Sequence, residues 1–184
     1  GFGWHPHRDM EVVTWVLDGE LEHGDSTGNR GIIYPGLVQR MTAGRGIFHT
    51  EMNPSSTDPV HFLQMWVLPD EVGLEPSYEQ LDVNASLDGG GLVPVAAGGD
   101  REGALRIHQR NATLWIARLN PEEKVDLPPA AAGHLFLAKG AFLLDGETRL
   151  DTGDALRLIE SDLLPGSAGP EGAEILYWQM SEED

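Results

Sequence analysis

A chain of 184 residues is long enough to bury a sizeable core as one domain or as two small ones. Its formal net charge of -18, from 30 acidic against 12 basic residues, repels phosphate backbones and anionic lipid, which argues against direct nucleic-acid or membrane partners. With no Cys there is no disulfide framework, thiolate nucleophile or Cys-type zinc site, and a cytoplasmic location is expected in the absence of a signal peptide or an apolar run of spanning length.

The chain opens Gly1-Phe2-Gly3-Trp4, without Met, so a further segment ahead of it is expected. His5 and His7 follow, two positions apart, which on a strand puts both imidazoles on one face. Continued at odd positions, that face holds Asp9, Glu11, Val13, Trp15 and Leu17, as an inward-facing barrel site requires. Val12–Leu17 is rich in β-branched and aromatic residues and ends at Asp18-Gly19, a hairpin signal. Asp25-Ser26-Thr27-Gly28-Asn29 and Tyr34-Pro35-Gly36 read as turns.

His49-Thr50-Glu51 is a second pair at i and i+2. Two such strands facing each other across a barrel would converge three imidazoles and a carboxylate on one point. That is a mixed nitrogen and oxygen set for iron, manganese, nickel, copper or zinc. Phe62–Leu68 is a further strand, on which Gln64 and Trp66 alternate as candidates to line a pocket or, for Trp66, to pack in a core. His23, His61, His108 and His134 have no partner at i+2 and read as structural. No helix follows Gly44-Arg45-Gly46, so it is no phosphate loop.

Gly89-Gly90-Gly91 marks a boundary between residues 1–84 and 90–184. A weak repeat crosses it: Trp15–Gly19 is echoed by Phe136–Gly140, and Pro35-Gly36 by Thr152-Gly153. Aligned on the glycines, Asp126 and Pro128 stand where His5 and His7 do, and Gly166 and Ala168 where His49 and Glu51 do. The second half therefore reads as the same β-fold without ligands. The densest acidic run closes the chain at 181–184.

Several of these motifs together resemble the pirin family of the cupin superfamily. They are His5-Pro6-His7-Arg8 with Glu11, Asp25–Asn29, Pro35-Gly36 and above all Met41-Thr42-Ala43-Gly44-Arg45-Gly46-Ile47-Phe48-His49-Thr50-Glu51-Met52. The resemblance is specific over roughly residues 1–80 and thin beyond. It implies an all-β fold of tandem double-stranded β-helix barrels, a bicupin. The N-terminal metal-binding cupin would span 1–84 and lack its first strands, and the C-terminal cupin over 90–184 would be metal-free. It further implies one metal, most readily Fe(II), on His5, His7, His49 and Glu51. Asp9-Met10 after the His motif matches bacterial members, which implies quercetin 2,3-dioxygenase-type activity on a flavonol-like substrate with dioxygen. Glu51 would serve as ligand and catalytic base, with Glu11 supporting the ligands from behind. The alternative is a metal-binding regulatory protein that contacts a protein partner without catalysis.

Overall fold

Short runs of β-branched and aromatic residues punctuated by Gly and Pro give a chain built almost wholly of strands, as the sequence predicts. The computed structural model describes residues 1–181, so the closing acidic run falls, beyond Ser181, outside the described residues. Its one α-helix is a single turn, Asn84–Leu87. The chain divides into two units: Gly1–Val83 with Leu105–Arg110, and Asn84–Ala104 with the residues from Asn111 onward. The excursion Leu105–Arg110 is tied to the first unit by Asp70, whose backbone N–H donates to the His108 carbonyl and whose carboxylate accepts from the Arg110 backbone.

In unit 1 the strands are β1 (Phe2–His7), β2 (Glu11–Asp18), β3 (Leu21–Asp25), β4 (Arg30–Ile33), β5 (Leu37–Thr42), β6 (Ile47–Met52), β7 (His61–Val67) and β8 (Ser77–Asp82). They form two antiparallel sheets, ordered β1-β6-β3-β4 and β7-β2-β5-β8. Three expectations need correction. The strands bearing the two metal motifs do not face each other; β1 and β6 are hydrogen-bonded neighbours, with His5 opposite His49. The odd-numbered face running from His5 does not continue either. Asp9 sits at φ 48°, its N–H bonded to the Gly44 carbonyl and its carboxylate accepting from the Gly73 N–H, and there the chain leaves one sheet for the other. Asp18-Gly19 is likewise no hairpin, since β3 pairs with β4 and β6 and not with β2.

Unit 2 holds β9 (Val93–Ala97), then, after the short β10 (Leu105–Arg106) of the excursion, β11 (Ala112–Leu119), β12 (Lys124–Leu127), β13 (Ala130–Leu144), β14 (Thr148–Asp151), β15 (Ala155–Ser161) and β16 (Leu164–Met180). Its sheet runs β9-β11-β16-β13-β14, with β12 on β16 and β15 on β13. Leu127, Leu135, Leu137, Phe142, Ile175 and Tyr177 lie in one buried cluster. The glycine repeat has a geometric basis. Gly19 and Gly140 have φ of 74° and 83°, and Gly36 and Gly153 both 94°. A Cβ on Gly19 or Gly140 would run into a backbone carbonyl, that of Pro59 or of Gly172.

The ligand positions of the repeat shift by one residue on β12. Val125 lies opposite Gly166 in the β12–β16 pairing, as His5 lies opposite His49 in β1–β6. Val125 and Leu127, not the more exposed Asp126 and Pro128, are thus the inward counterparts of the His pair. The Phe142 ring packs directly over Gly166, so hydrocarbon fills that interior.

These contacts predict that Gly19→Ala and Gly140→Ala, which add a backbone clash to left-handed strain, each destabilise the chain by more than about 2 kcal/mol in urea unfolding. Gly153→Ala faces open space and should cost only the left-handed strain, about 1–2 kcal/mol. Equal midpoints for wild type and Gly140→Ala would show that the carbonyl contact is not rigid.

Candidate metal centre

Alternation along β6 turns Ile47, His49 and Glu51 inward, all buried, and leaves Phe48 and Met52 exposed. On either side of β6 the register brings up matching inward positions. His5 of β1 and Asp25 of β3 flank His49, and His23 of β3 lies opposite Glu51. From the other sheet, Thr14 of β2 pairs with Gln39 of β5 and Gln64 of β7, a polar row across three strands. Hydrocarbon closes it at both ends: Val12, Met41 and Ile47 form one cluster, Val16, Leu21, Ile33 and Leu37 another. Polar side chains are thereby confined to the middle of the interior.

The three predicted imidazoles converge. Ring centroids stand 5.0 Å apart for His5 and His7, 4.3 Å for His5 and His49, and 4.8 Å for His7 and His49. One ligand atom from each lies within 4.8 Å of the others. Glu51 joins this set through His49, with Oε2 3.9 Å from His49 Nε2. At the same spacing Glu51 and His49 also group with His23, so two trios share His49.

His23 reads as structural in the sequence, and in part it is. Its Nε2 donates to Asp25 Oδ2 at 3.4 Å, and its ring stacks on Tyr78 with centroids 4.6 Å apart. Asp25 also accepts from Thr27 and Asn29, so one carboxylate both orients His23 and closes the predicted turn. The expectation that His23 has no partner at i+2 is corrected here, since Asp25 stands at that position and His23-Gly24-Asp25 is a third i, i+2 pair of polar groups, legible in the sequence.

Protonation follows from these surroundings. His5 Nδ1 donates to the Gly3 carbonyl at 2.7 Å, which leaves Nε2 as the ring nitrogen available to a metal. Burial, then the neighbouring His5 and His7, pushes His49 down to about 3. Burial and His5 lower His7 as well, and burial lowers His23 against the opposing pull of Asp25. Neutral imidazoles keep their lone pairs at neutral pH. Burial raises the Glu51 carboxyl, opposed by hydrogen bonds from Gln64 and Thr14 and by the charge of His5.

A fit to a metal is testable on the side chains alone. His7 Nε2, His23 Nδ1 and both ring nitrogens of His49 are buried without a hydrogen-bond partner. Leaving such groups unpaired ordinarily costs about 1–3 kcal/mol each. Here they lie together, beside a buried carboxylate, which is the donor set a first-row transition metal satisfies.

Glu11 is placed differently from its expectation. It lies an odd number of residues from Thr14 on β2 and points from the other face of that sheet. There its buried carboxylate accepts from Thr42 Oγ1 at 3.1 Å and stands 3.2 Å from His108 Nδ1. It supports the sheet and not the ligands. Gln64 does line the interior, donating to Glu51 Oε2 at 2.6 Å, but Trp66 is 60% exposed and belongs to no core. Among the described residues no helix is long and apolar enough to cross a membrane.

A family profile described as Pirin matches residues 1–67, and one described as the quercetinase C-terminal cupin domain matches residues 94–180. A putative quercetin 2,3-dioxygenase of Mycobacterium bovis is 51% identical over 181 residues, 98% of this chain and 74% of that protein. The quercetin 2,3-dioxygenase of Escherichia coli K12 is 36% identical over 178 residues, 96% of this chain and 75% of that one. The crystal structure of the E. coli bacterial pirin YhhW in complex with nickel(II) superposes with a TM-score of 0.87 at 34% identity. That alignment covers 100% of this chain and 77% of the crystallised one.

Because the two trios share His49, the purified chain should carry about one equivalent of divalent transition metal, not two, by elemental analysis. The double change His7→Ala with His49→Ala should bring it to background. Stoichiometric metal in that variant would put the binding site elsewhere.

Proposed function

The chain belongs to the pirin family, and on that footing we propose that it is a metal-dependent dioxygenase that opens the heterocyclic ring of flavonols such as quercetin. The observation that carries this reading is the group of partnerless imidazole nitrogens gathered beside a buried carboxylate. The names of the M. bovis and E. coli relatives, a putative quercetin 2,3-dioxygenase and a quercetin 2,3-dioxygenase, support it. Substrate and dioxygen are the partners it requires, and a cytoplasmic setting accords with a chain that has no Cys.

His5, His7, His49 and Glu51 would hold the ion, iron(II) in this reading, with manganese, nickel, copper and zinc suited to the same donors. When bound, it supplies Lewis-acid activation that makes a substrate hydroxyl more acidic. Glu51 is the base. Its carboxylate, ionised as a ligand must be, takes the proton of the flavonol 3-hydroxyl. The O–H bond breaks, its electron pair stays on the flavonol oxygen, and the enolate so formed is electron-rich at the neighbouring carbon. Dioxygen adds there, the heterocycle opens, and carbon monoxide leaves; one flavonol and one dioxygen give one ring-opened ester and one carbon monoxide. Thr14 and Gln64, each donating to one oxygen of Glu51, fix the direction from which it takes the proton. Val12, Met41 and Ile47 keep bulk water from one end of the polar row.

One observation favours a second reading, a regulatory protein whose metal governs contact with a protein partner. Phe48 and Met52, on the outer face of the ligand strand β6, are exposed, as are Phe2 and Trp4 of β1. The two readings part on turnover.

Glu51→Gln keeps an oxygen donor and removes the proton acceptor. The variant should retain much of its metal, still bind quercetin, and lose about 10²- to 10⁴-fold in oxygen consumption. Wild-type turnover by the metal-loaded variant would transfer the base role to a water molecule. Absence of quercetin turnover in wild type loaded with iron, manganese, nickel or copper would replace the dioxygenase reading with the regulatory one.

A further inference from the structure

We propose that Trp66 is a positioning residue for Glu51 and that it acts through Gln64; the inference rests on the reading of Glu51 as a metal ligand. Three side chains from two strands make the connection. Trp66 Nε1 donates to Gln64 Oε1 at 3.0 Å, and Gln64 Nε2 donates to Glu51 Oε2 at 2.6 Å. The chemistry of the ends fixes the middle. An indole N–H is only a donor, and an ionised carboxylate only an acceptor. Gln64 therefore has one orientation that satisfies both neighbours, with its carbonyl toward Trp66 and its amide N–H toward Glu51. Turned over, it would set N–H against N–H and oxygen against oxygen. Trp66 thus acts as the lock on the amide, and the amide aims the carboxylate.

The alternation of β7 explains why the lock is built this way. Gln64 and Trp66 are two apart, so they share the inward face, and Trp66 stands one step nearer the strand end. Its ring meets the edge of His7, with centroids 5.2 Å apart and planes at 79°, while 60% of its surface is open to solvent. The other oxygen of Glu51 receives a parallel but looser chain, from Gln39 Nε2 to Thr14 Oγ1 at 3.4 Å and from Thr14 to Glu51 Oε1 at 3.5 Å. Both members of that chain are fully buried. The short, directed bond comes from the side that reaches the surface. An exposed tryptophan that the sequence suggests as a core residue is accordingly held in place by a polar duty.

A double-mutant cycle tests this, with nickel(II) affinity measured by chelator competition on the full chain. Gln64→Leu should weaken nickel binding about 10- to 100-fold, the usual cost of losing a group that orients a ligand. Trp66→Phe keeps a ring against His7 and removes only the N–H. It should weaken binding at least about twofold in the wild-type background and cause no further loss in Gln64→Leu. Should Gln64→Leu fail to fold, Gln64→Met removes the same amide at matched length and the cycle is run on it. In quercetin turnover Trp66→Phe should lower kcat and leave KM unchanged, because the aromatic face remains. Additive losses in the double variant would overturn the proposal, since Trp66 would then act on His7 or substrate directly. Glu51→Ala, which removes the oxygen donor that Glu51→Gln keeps, separates the two levels. If it weakens nickel binding while Gln64→Leu does not, the relay is wrong and the ligand set stands; if it does not change nickel affinity, both fall.

Discussion

The register of β6 between β1 and β3 is the constraint on which the first unit depends. His5 opposite His49, Asp25 opposite His49 on the other side, and His23 opposite Glu51 bring groups from three strands onto one inward surface. In a ladder with a side-chain period of two, sliding β6 by one residue would turn Phe48 and Met52 inward and expel His49 and Glu51. The hydrophobic ends of the row guard against this. Ile47 belongs to the same alternation as His49 and Glu51, and it is anchored in a cluster with Val12, Met41 and Ala43. Packing thus sets the register, and the register assembles the chemistry.

That assembly has an energetic cost which the rest of the unit offsets. Burial of unpaired imidazole nitrogens opposes folding, and that burial together with the proximity of His5 and His7 opposes the protonation of His49. The compensation is local and polar where it can be. Asp25 gathers Thr27, Asn29 and His23 around one carboxylate, Gly3 takes the proton side of His5, and Thr14 and Gln64 hold Glu51. What remains unpaired is a group of imidazole nitrogens gathered beside a buried carboxylate, a donor set that a metal cation would satisfy.

Much of this was legible in the sequence because it depends on a period of two and on residue chemistry. His5, His7, His49 and Glu51 announce themselves by spacing, the all-β architecture by punctuated strands, and the repeat by glycines whose positive φ values match. The parts that were not legible depend on where the chain turns out of a sheet. The break at Asp9 reverses which face of β2 looks inward, so Glu11 moves to the far side and Thr14 takes the near one. The excursion Leu105–Arg110 lies beyond the glycine boundary, yet it supplies His108 to Glu11. On β12 a one-residue offset exchanges Asp126 and Pro128 for Val125 and Leu127, which glycine spacing alone could not resolve. Trp66 reads as hydrophobic by type, whereas the structure uses its one polar atom.

Phe142 over Gly166 gives the second barrel a different relation to its environment from the first. An interior sealed by an aromatic ring is complete at the moment of folding, and its cohesion is indifferent to the supply of trace elements. The first barrel, by contrast, keeps buried nitrogens without protein partners, so its cohesion would follow the supply of a metal that fits them. Within one polypeptide, one half would thus be finished by its own sequence and the other by what the surrounding medium offers.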